Sequence, residues 1–207
     1  MKKYAIGIDI GGTNTVAGIV DSEGKCHAKA SIKTTDYEHA GDFITALADM
    51  TKTLYSDKAY EILGVGIGAP NANYYTGCIE DAPNLRWKGR IELAKELSRS
   101  LQLDESKIIV TNDANAAAIG ERVYGKAKGL DNFIMVTLGT GLGSGYVVNG
   151  EVMYGSTGFA GELGHVSISM SADRKCGCGK YGCLETYCSA TGIVRTVQNI
   201  LSGGKTE

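Results

Sequence analysis

Four residues with metal-binding side chains lie close together in the second half of the sequence. They are one histidine, His165, and three cysteines, Cys176, Cys178 and Cys183. One imidazole and three thiolates make a complete tetrahedral ligand set for zinc. The glycines between the cysteines let a short loop wrap around a small ion. Reduced surface cysteines are the alternative, but three cysteines in so short a segment favour a structural zinc site.

Two glycine-rich turns could bind phosphate groups. The first is Asp9-Ile10-Gly11-Gly12-Thr13 and the second is Gly139-Thr140-Gly141-Leu142-Gly143. Backbone N–H groups in such turns can approach an anion, and the Asp9 carboxylate could hold a hydrated Mg²⁺ beside it. The first turn also fits an ordinary Gly-Gly hairpin, and the second opens no helix, which argues against a dinucleotide fingerprint. Because the turns occupy matching places in two similar segments, they could grip successive phosphates of one nucleotide across a cleft.

Asp113 follows an apolar segment and precedes a run of alanines. Two roles are open for it. It could be the N-cap of a helix, or it could be a general base that takes the proton from a hydroxyl nucleophile. The small alanines would let this helix pack close to a cleft.

The elements that must position these residues follow from periodicity and turn residues. Strands are predicted at 4–10, 15–21, 26–33, 62–68, 107–111, 133–138, 144–149 and 151–154, and helices at 38–57, 91–101, 113–121 and 189–201. The segment 133–154 repeats the order of strand, glycine turn and strand seen at 4–33. This indicates a weak internal duplication with a boundary near 112–132.

Composition limits the classes of partner. The 207 residues carry a net charge of −2, which gives no electrostatic footprint for nucleic acid or an anionic membrane. No apolar run reaches the ~18 residues of a transmembrane helix, and the N-terminus does not resemble a signal peptide. We therefore expect a cytoplasmic protein that binds neither nucleic acid nor membrane.

The motifs, in their order and approximate spacing, resemble the ROK family, which contains sugar kinases and related repressors of the actin-like ATPase superfamily. The resemblance rests on Asp9-x-Gly-Gly-Thr13, Asn112-Asp113-Ala-Asn115, Leu138-Gly-Thr-Gly141, Gly161-Glu-x-Gly-His165 and the cysteine cluster. It implies an α/β protein with the actin-like ATPase (ribonuclease H-like) fold, in which two similar domains flank a cleft. The expected domains are residues 1–112 and 113–207, with the zinc loop at about 155–188 and the second domain truncated at its C-terminus.

The resemblance also assigns roles to single residues. ATP would lie on the first turn at Asp9, Gly11, Gly12 and Thr13 and on the second at Gly139, Thr140, Gly141 and Gly143. Asp113 matches the catalytic base. Residues that match sugar contacts are Gly68, Asn84, Asn112, Asp113, Glu162, His165 and Glu185. His165 would bind zinc through one ring nitrogen and face the sugar with the other.

The activity implied is ATP-dependent phosphorylation of a hexose on its 6-hydroxyl, with Mg²⁺ as cofactor and glucose as the first substrate. Kinases for N-acetylmannosamine, N-acetylglucosamine or fructose are alternatives, as are a sugar-sensing regulator and a non-catalytic fragment that binds sugar and zinc. A regulator of this family carries a helix-turn-helix domain before the first strand, for which a strand starting at Tyr4 leaves no room. A homodimer is a further expectation from the resemblance.

Overall fold

The computed structural model describes residues 2–56, 60–169 and 174–203. Within those ranges the strands are β1 (Lys3–Ile10), β2 (Asn14–Val20), β3 (Cys26–Lys33), β4 (Glu61–Ala69), β5 (Ala72–Asn73), β6 (Cys78–Glu80), β7 (Arg90–Ile91), β8 (Ile108–Asn112), β9 (Phe133–Leu138), β10 (Leu142–Val148) and β11 (Glu151–Val152). The helices are α1 (Ala40–Thr53), α2 (Leu93–Leu101), α3 (Asp113–Tyr124), α4 (Glu185–Cys188) and α5 (Ala190–Leu201).

The largest sheet has five strands in the order β3-β2-β1-β4-β8. The first three strands form the two predicted antiparallel hairpins, whereas β1, β4 and β8 run parallel. Parallel strands end at the same edge of a sheet, and here Asp9 lies opposite Gly68, which lies opposite Thr111. The register therefore brings three separate segments of sequence to one edge.

The core lies on one face of this sheet. Side chains of β1 alternate between buried and exposed, as expected for a strand with one covered face. The helices α1 and α2 cover that face, and their fully buried side chains include Phe43, Leu47, Leu93 and Leu97. Full burial of such a side chain stabilises the fold by about 1.5–3 kcal/mol.

The second sheet has the order β11-β10-β9. Its three antiparallel strands repeat the arrangement of β3-β2-β1, which agrees with the predicted duplication. Helix α3 packs against β10 and β9 on one side and against β4 and β8 on the other. It therefore lies between the two sheets, and a domain division at residues 112 and 113 stays a prediction.

The structure differs from the sequence prediction in several places. No strand was predicted where the small sheet β5-β6-β7 lies, and the helix α4 lies in the segment predicted as the zinc loop. Helix α2 begins at Leu93 rather than at Ile91, because Ile91 pairs with Ile79 in the small sheet. Helix α1 ends at Thr53, and the end predicted for it at Asp57 lies outside the described residues, as do 170–173 of the predicted zinc loop. None of the described helices combines the length and apolar character needed to cross a membrane.

Candidate active site

Asp113 is the first residue of α3, at the sheet edge where β8 ends. The N-cap is Asn112, whose side-chain oxygen accepts a hydrogen bond from the Ala114 N–H at 2.9 Å. The capping role considered for Asp113 was therefore wrong, because the preceding residue takes it. The Asp113 side chain is exposed, and one of its oxygens accepts from the same N–H at 2.8 Å. Its carboxylate is thus accessible to a substrate.

The Asp113 carboxylate lies close enough to Asp9 to affect the charge of Asp9. Asp9 is the last residue but one of β1, and partial burial together with the Asp113 carboxylate raises the pKa of Asp9. Two carboxylates side by side favour a cation between or beside them. Gly68 allows this approach, because a Cβ there would lie 3.1 Å from the Ala116 Cβ of α3.

The first glycine turn is folded back on itself and backed by Asn84. The Gly11 N–H donates to the Asn14 carbonyl at 3.0 Å. A Cβ on Gly12 would lie 2.7 Å from the Asn84 carbonyl oxygen, so only glycine fits this approach. Asn84 itself is exposed. The structure therefore brings Asn84, predicted as a sugar contact, next to the turn predicted to bind phosphate.

The second glycine turn lies on the opposite side of α3. Its backbone is held by α5, since the Ala190 N–H donates to the Gly139 carbonyl at 2.9 Å and the Thr191 hydroxyl donates to the Thr140 carbonyl at 2.8 Å. A Cβ on Gly143 would lie 3.0 Å from the Ala114 Cβ. The small alanines at the start of α3 thus let β4 and the second glycine turn approach this helix closely. In the part of the chain that the structure describes, no hydrogen bond joins the two turns.

Glu162, His165 and Glu185 form one charged group near Asp113. The His165 Nε2 lies 3.8 Å from a Glu162 oxygen, and its Nδ1 lies 3.8 Å from a Glu185 oxygen. Partial burial raises the pKa of Glu162, with further upward contributions from Asp113 and Glu185 and a downward one from His165. The carboxylates of Asp113, Glu162 and Glu185 can each accept hydrogen bonds from the hydroxyl groups of a ligand.

Glu185 also joins this group to the second glycine turn. One of its oxygens lies 3.4 Å from the Leu142 N–H, and a Cβ on Gly141 would lie 2.8 Å from the same oxygen. The other oxygen accepts from the Cys176 thiol at 2.9 Å. The Glu185 carboxylate therefore contacts the second glycine turn, His165 and Cys176.

The four predicted metal ligands lie together. The ligand atoms of His165, Cys176, Cys178 and Cys183 all lie within 4.8 Å of one another. The Cys178 and Cys183 sulfurs are 3.7 Å apart, and the Cys176 sulfur is 3.5 Å from the His165 Nδ1. Tetrahedral zinc bonds of about 2.3 Å to sulfur and about 2.0–2.1 Å to nitrogen place these pairs about 3.8 and about 3.6 Å apart. The spacing of the cluster therefore fits zinc, with the His165 Nε2 left facing Glu162.

Burial and the Glu185 carboxylate raise the pKa of the Cys176 thiol, and burial raises the pKa of Cys183. The pKa of Cys178, by contrast, is lowered, with hydrogen bonds from Lys180, Cys176 and Cys183 opposing the effect of burial, so a metal ion must displace tightly held protons only from Cys176 and Cys183.

Among the described residues a cavity and a groove are found, and only the cavity lies at these groups. A cavity of about 230 Å³ is lined by residues that include Thr140, Cys176, Glu185, Thr191 and Arg195. A groove of about 430 Å³ lies away from the predicted carboxylates, and Tyr74, Tyr75, Arg122 and Tyr154 are among its lining residues. Of the predicted site residues, Thr140, Cys176 and Glu185 line the smaller cavity, whereas Asp113, Glu162 and His165 are not among its lining residues.

Sequence reasoning missed two residues that shape the site. Ser144 is buried, accepts from the Leu163 N–H at 3.2 Å and donates to the Gly161 carbonyl. Asn73 of β5 is buried, and its side chain donates to the Thr157 carbonyl in the loop that follows β11. A serine between glycines and an asparagine in a loop carry no local signal, because both contacts join segments that are distant in sequence.

Relatives of this chain include both enzymes and regulators. The family model that matches is the ROK family, over residues 5–207. A glucokinase from Halalkalibacterium halodurans is 37% identical over 197 residues, which is 93% of this chain and 58% of the relative. A xylose repressor from Bacillus subtilis is 31% identical over 198 residues, which is 94% of this chain and 50% of the relative.

The structure of a ROK family glucokinase from Streptomyces griseus, in complex with glucose and AMPPNP, is similar with a TM-score of 0.80 and 33% identity. The match covers 97% of this chain and 62% of that chain. The present chain thus spans a little more than half of the length of these proteins, and its sheets are those of the actin-like ATPase fold of the family. The extent of the family match, with the likeness in sequence and structure, shows that this chain belongs to the ROK family.

Proposed function

We propose that this protein transfers the γ-phosphoryl group of ATP to the 6-hydroxyl of a hexose, with glucose as the first substrate to test. One observation carries the proposal. The exposed Asp113 carboxylate lies at the start of α3, close enough to Asp9 and Glu162 to raise the pKa of each, and Gly143 of the second glycine turn approaches the next residue of the helix, Ala114. A base, a phosphate cradle and acceptors for hydroxyl groups are the parts that phosphoryl transfer to a sugar needs.

In the proposed mechanism Asp113 accepts the proton of the sugar hydroxyl. The oxygen then forms a bond to the γ-phosphorus while the bond to the ADP oxygen breaks. Backbone N–H groups of Gly11 to Thr13 and of Gly139 to Gly143 stabilise the negative charge on the transferred group. Glu162, His165 and Glu185 orient the sugar, together with Gly68, Asn84 and Asn112.

Two metal ions belong to the proposal. Asp9 would hold Mg²⁺, which when bound neutralises charge on the nucleotide phosphates. The His165 and cysteine cluster would hold zinc, which when bound fixes the orientation of the imidazole. Asp9 fits this role because its carboxylate is already repelled by that of Asp113.

Glucose is supported by the relatives. The glucokinase from H. halodurans and the S. griseus structure with glucose and AMPPNP match nearly the whole chain. Glu162, His165 and Glu185 bind hydroxyl groups that hexoses share, so N-acetylmannosamine, N-acetylglucosamine and fructose belong in the same test. A cytoplasmic location and a homodimer stay predictions, and light scattering measures the second.

The test is MgATP-dependent phosphorylation of a panel of these sugars by wild type and by Asp113→Asn. The amide has the size of the carboxylate but cannot accept the proton, so we expect turnover to fall about 10²–10⁴-fold while sugar binding is kept. Equal turnover by the variant would remove Asp113 from the mechanism.

The similarity to the xylose repressor supports a second function, that of a sugar-sensing regulator. Sugar binding by wild type without phosphorylation of any sugar would favour the regulator.

A further inference from the structure

The loop of residues 155–161 leads directly into Glu162 and His165. It contains three glycines with positive φ, Gly155, Gly158 and Gly161. Glycine loses more conformational entropy on ordering than any other residue. One internal hydrogen bond, from the Ala160 N–H to the Tyr154 carbonyl at 3.0 Å, closes the loop, and contacts from outside must supply the rest of its order.

The end of the loop is anchored by the second sheet. Ser144 of β10 donates to the Gly161 carbonyl and accepts from the Leu163 N–H. This anchor lies within the same half of the chain. Residues 155–159 therefore need a second anchor.

The small sheet β5-β6-β7 and the residues that follow β5 supply that second anchor. Asn73 of β5 is only 4% exposed, and its side-chain N–H donates to the Thr157 carbonyl at 3.0 Å. The Tyr75 hydroxyl donates to the Gly155 carbonyl at 2.9 Å. The Asn73 side-chain oxygen accepts from the Tyr75 N–H at 3.0 Å, which fixes the direction of the amide.

Packing adds to these hydrogen bonds. A Cβ on Gly158 would overlap the Asn73 side-chain oxygen, so the loop backbone is in direct contact with the amide of Asn73. Next to it the rings of Tyr74 and Tyr154 stack in parallel with centroids 4.1 Å apart. The segment 73–75 thus holds the loop by backbone contacts that do not depend on the identity of the loop side chains.

We propose that Asn73 is a positioning residue for the sugar site, which acts by fixing the loop 155–161 and through it Glu162 and His165. This inference rests on the proposed function. Asn73 precedes α3 in the sequence, and the loop 155–161 follows the second glycine turn. The contact therefore joins the part of the chain before α3 to the part after it.

The variants are Asn73→Ala, which removes the amide, and Tyr75→Phe, which removes only an exposed hydroxyl and leaves the fold intact. The matched controls are Asn199→Ala on α5 and Tyr124→Phe on α3, both at exposed positions. Each variant is assayed for KM of the sugar, KM of ATP, kcat and zinc content, and hydrogen exchange is followed in the peptide 155–165.

We expect Asn73→Ala to raise the KM of the sugar about 3- to 10-fold, the effect of one lost hydrogen bond, and Tyr75→Phe to raise it less. KM of ATP, zinc content and kcat stay within about twofold of wild type. Exchange in the peptide 155–165 becomes faster in both variants and in neither control. Equal changes in both KM values would indicate general damage and overturn the proposal.

Exchange and activity separate the two possible failures. Absence of phosphorylation by wild type would count against the proposed function, and exchange in the loop would then decide this inference alone. Unchanged exchange in Asn73→Ala would overturn it whatever the activity.

Discussion

Removing one ligand of the cysteine cluster tests the metal site most directly. The change is Cys178→Ser, which exchanges a thiolate for a weak hydroxyl ligand at an exposed position. The matched control is Cys188→Ser, because Cys188 is also an exposed free cysteine but lies outside the cluster. Both variants lose one thiol near α4, so only the loss of a ligand distinguishes them.

The size of the effect follows from the lack of a local core. In the described part of the metal loop Cys176 and Cys183 are buried, whereas Val166 and Ile168 are 50% and 54% exposed. Few apolar contacts are therefore available to order the loop. Zinc in thousandfold excess over its Kd stabilises a site by about 4 kcal/mol. For a chain of this size that corresponds to a rise in Tm of about 8–16 °C.

The assay is thermal unfolding with zinc and with a chelator, combined with measurement of bound zinc per chain. Wild type and Cys188→Ser should bind one zinc ion and lose the full increment on chelation, whereas Cys178→Ser should bind little zinc and respond little. The increment should also shrink at acid pH, because the cysteine thiols must lose their protons to bind metal. One zinc ion per chain in Cys178→Ser, with an unchanged thermal response, would refute the assignment.

Three further predictions concern Asp9, Gly143 and Asn112. The pKa of Asp9 is raised, so its contribution to stability is present below the ordinary carboxyl range and is lost as the pH rises through the raised pKa. The variant Asp9→Asn should therefore melt at a higher temperature than wild type at pH 7 and at the same temperature near about pH 3. Equal melting temperatures at both pH values would contradict this. Gly143→Ala should lower stability by about 1–3 kcal/mol, because the new Cβ would lie 2.7 Å from the Thr137 hydroxyl; chemical denaturation checks this against Gly139→Ala, where the Cβ meets open space. Asn112→Ala should cost about 1 kcal/mol through loss of the N-cap, and an unchanged denaturation midpoint would show that Asp113 replaces it.

Regular elements were predictable because their periodicity is local. Alternation of apolar residues identified β1, and glycine turns identified the hairpins on either side of β2. The small sheet was missed because strands of two or three residues, such as Ala72–Asn73, have no measurable period. The cap of α3 was misplaced by one residue because Asn and Asp are equally good caps and stand side by side.

The metal cluster was predictable for the same reason, since three of its four ligands lie within one short loop. What the sequence did not reveal are contacts between distant segments. The Asn73 amide meets Thr157 only because β5 and the loop fold onto the same side of the molecule. Ser144 and Gly161 likewise meet through tertiary structure alone.

Glu185 gives this arrangement a thermodynamic consequence. Its two oxygens contact the Cys176 sulfur at one end and the Leu142 N–H at the other. A ligand that binds on the Cys176 side and moves this carboxylate changes the free energy of binding on the Leu142 side, and the reverse also holds. Such coupling is reciprocal, so in the proposed function any factor by which zinc changes the affinity for nucleotide must equal the factor by which nucleotide changes the affinity for zinc. The proposed metal site would then be coupled energetically to the nucleotide as well as supporting the loop.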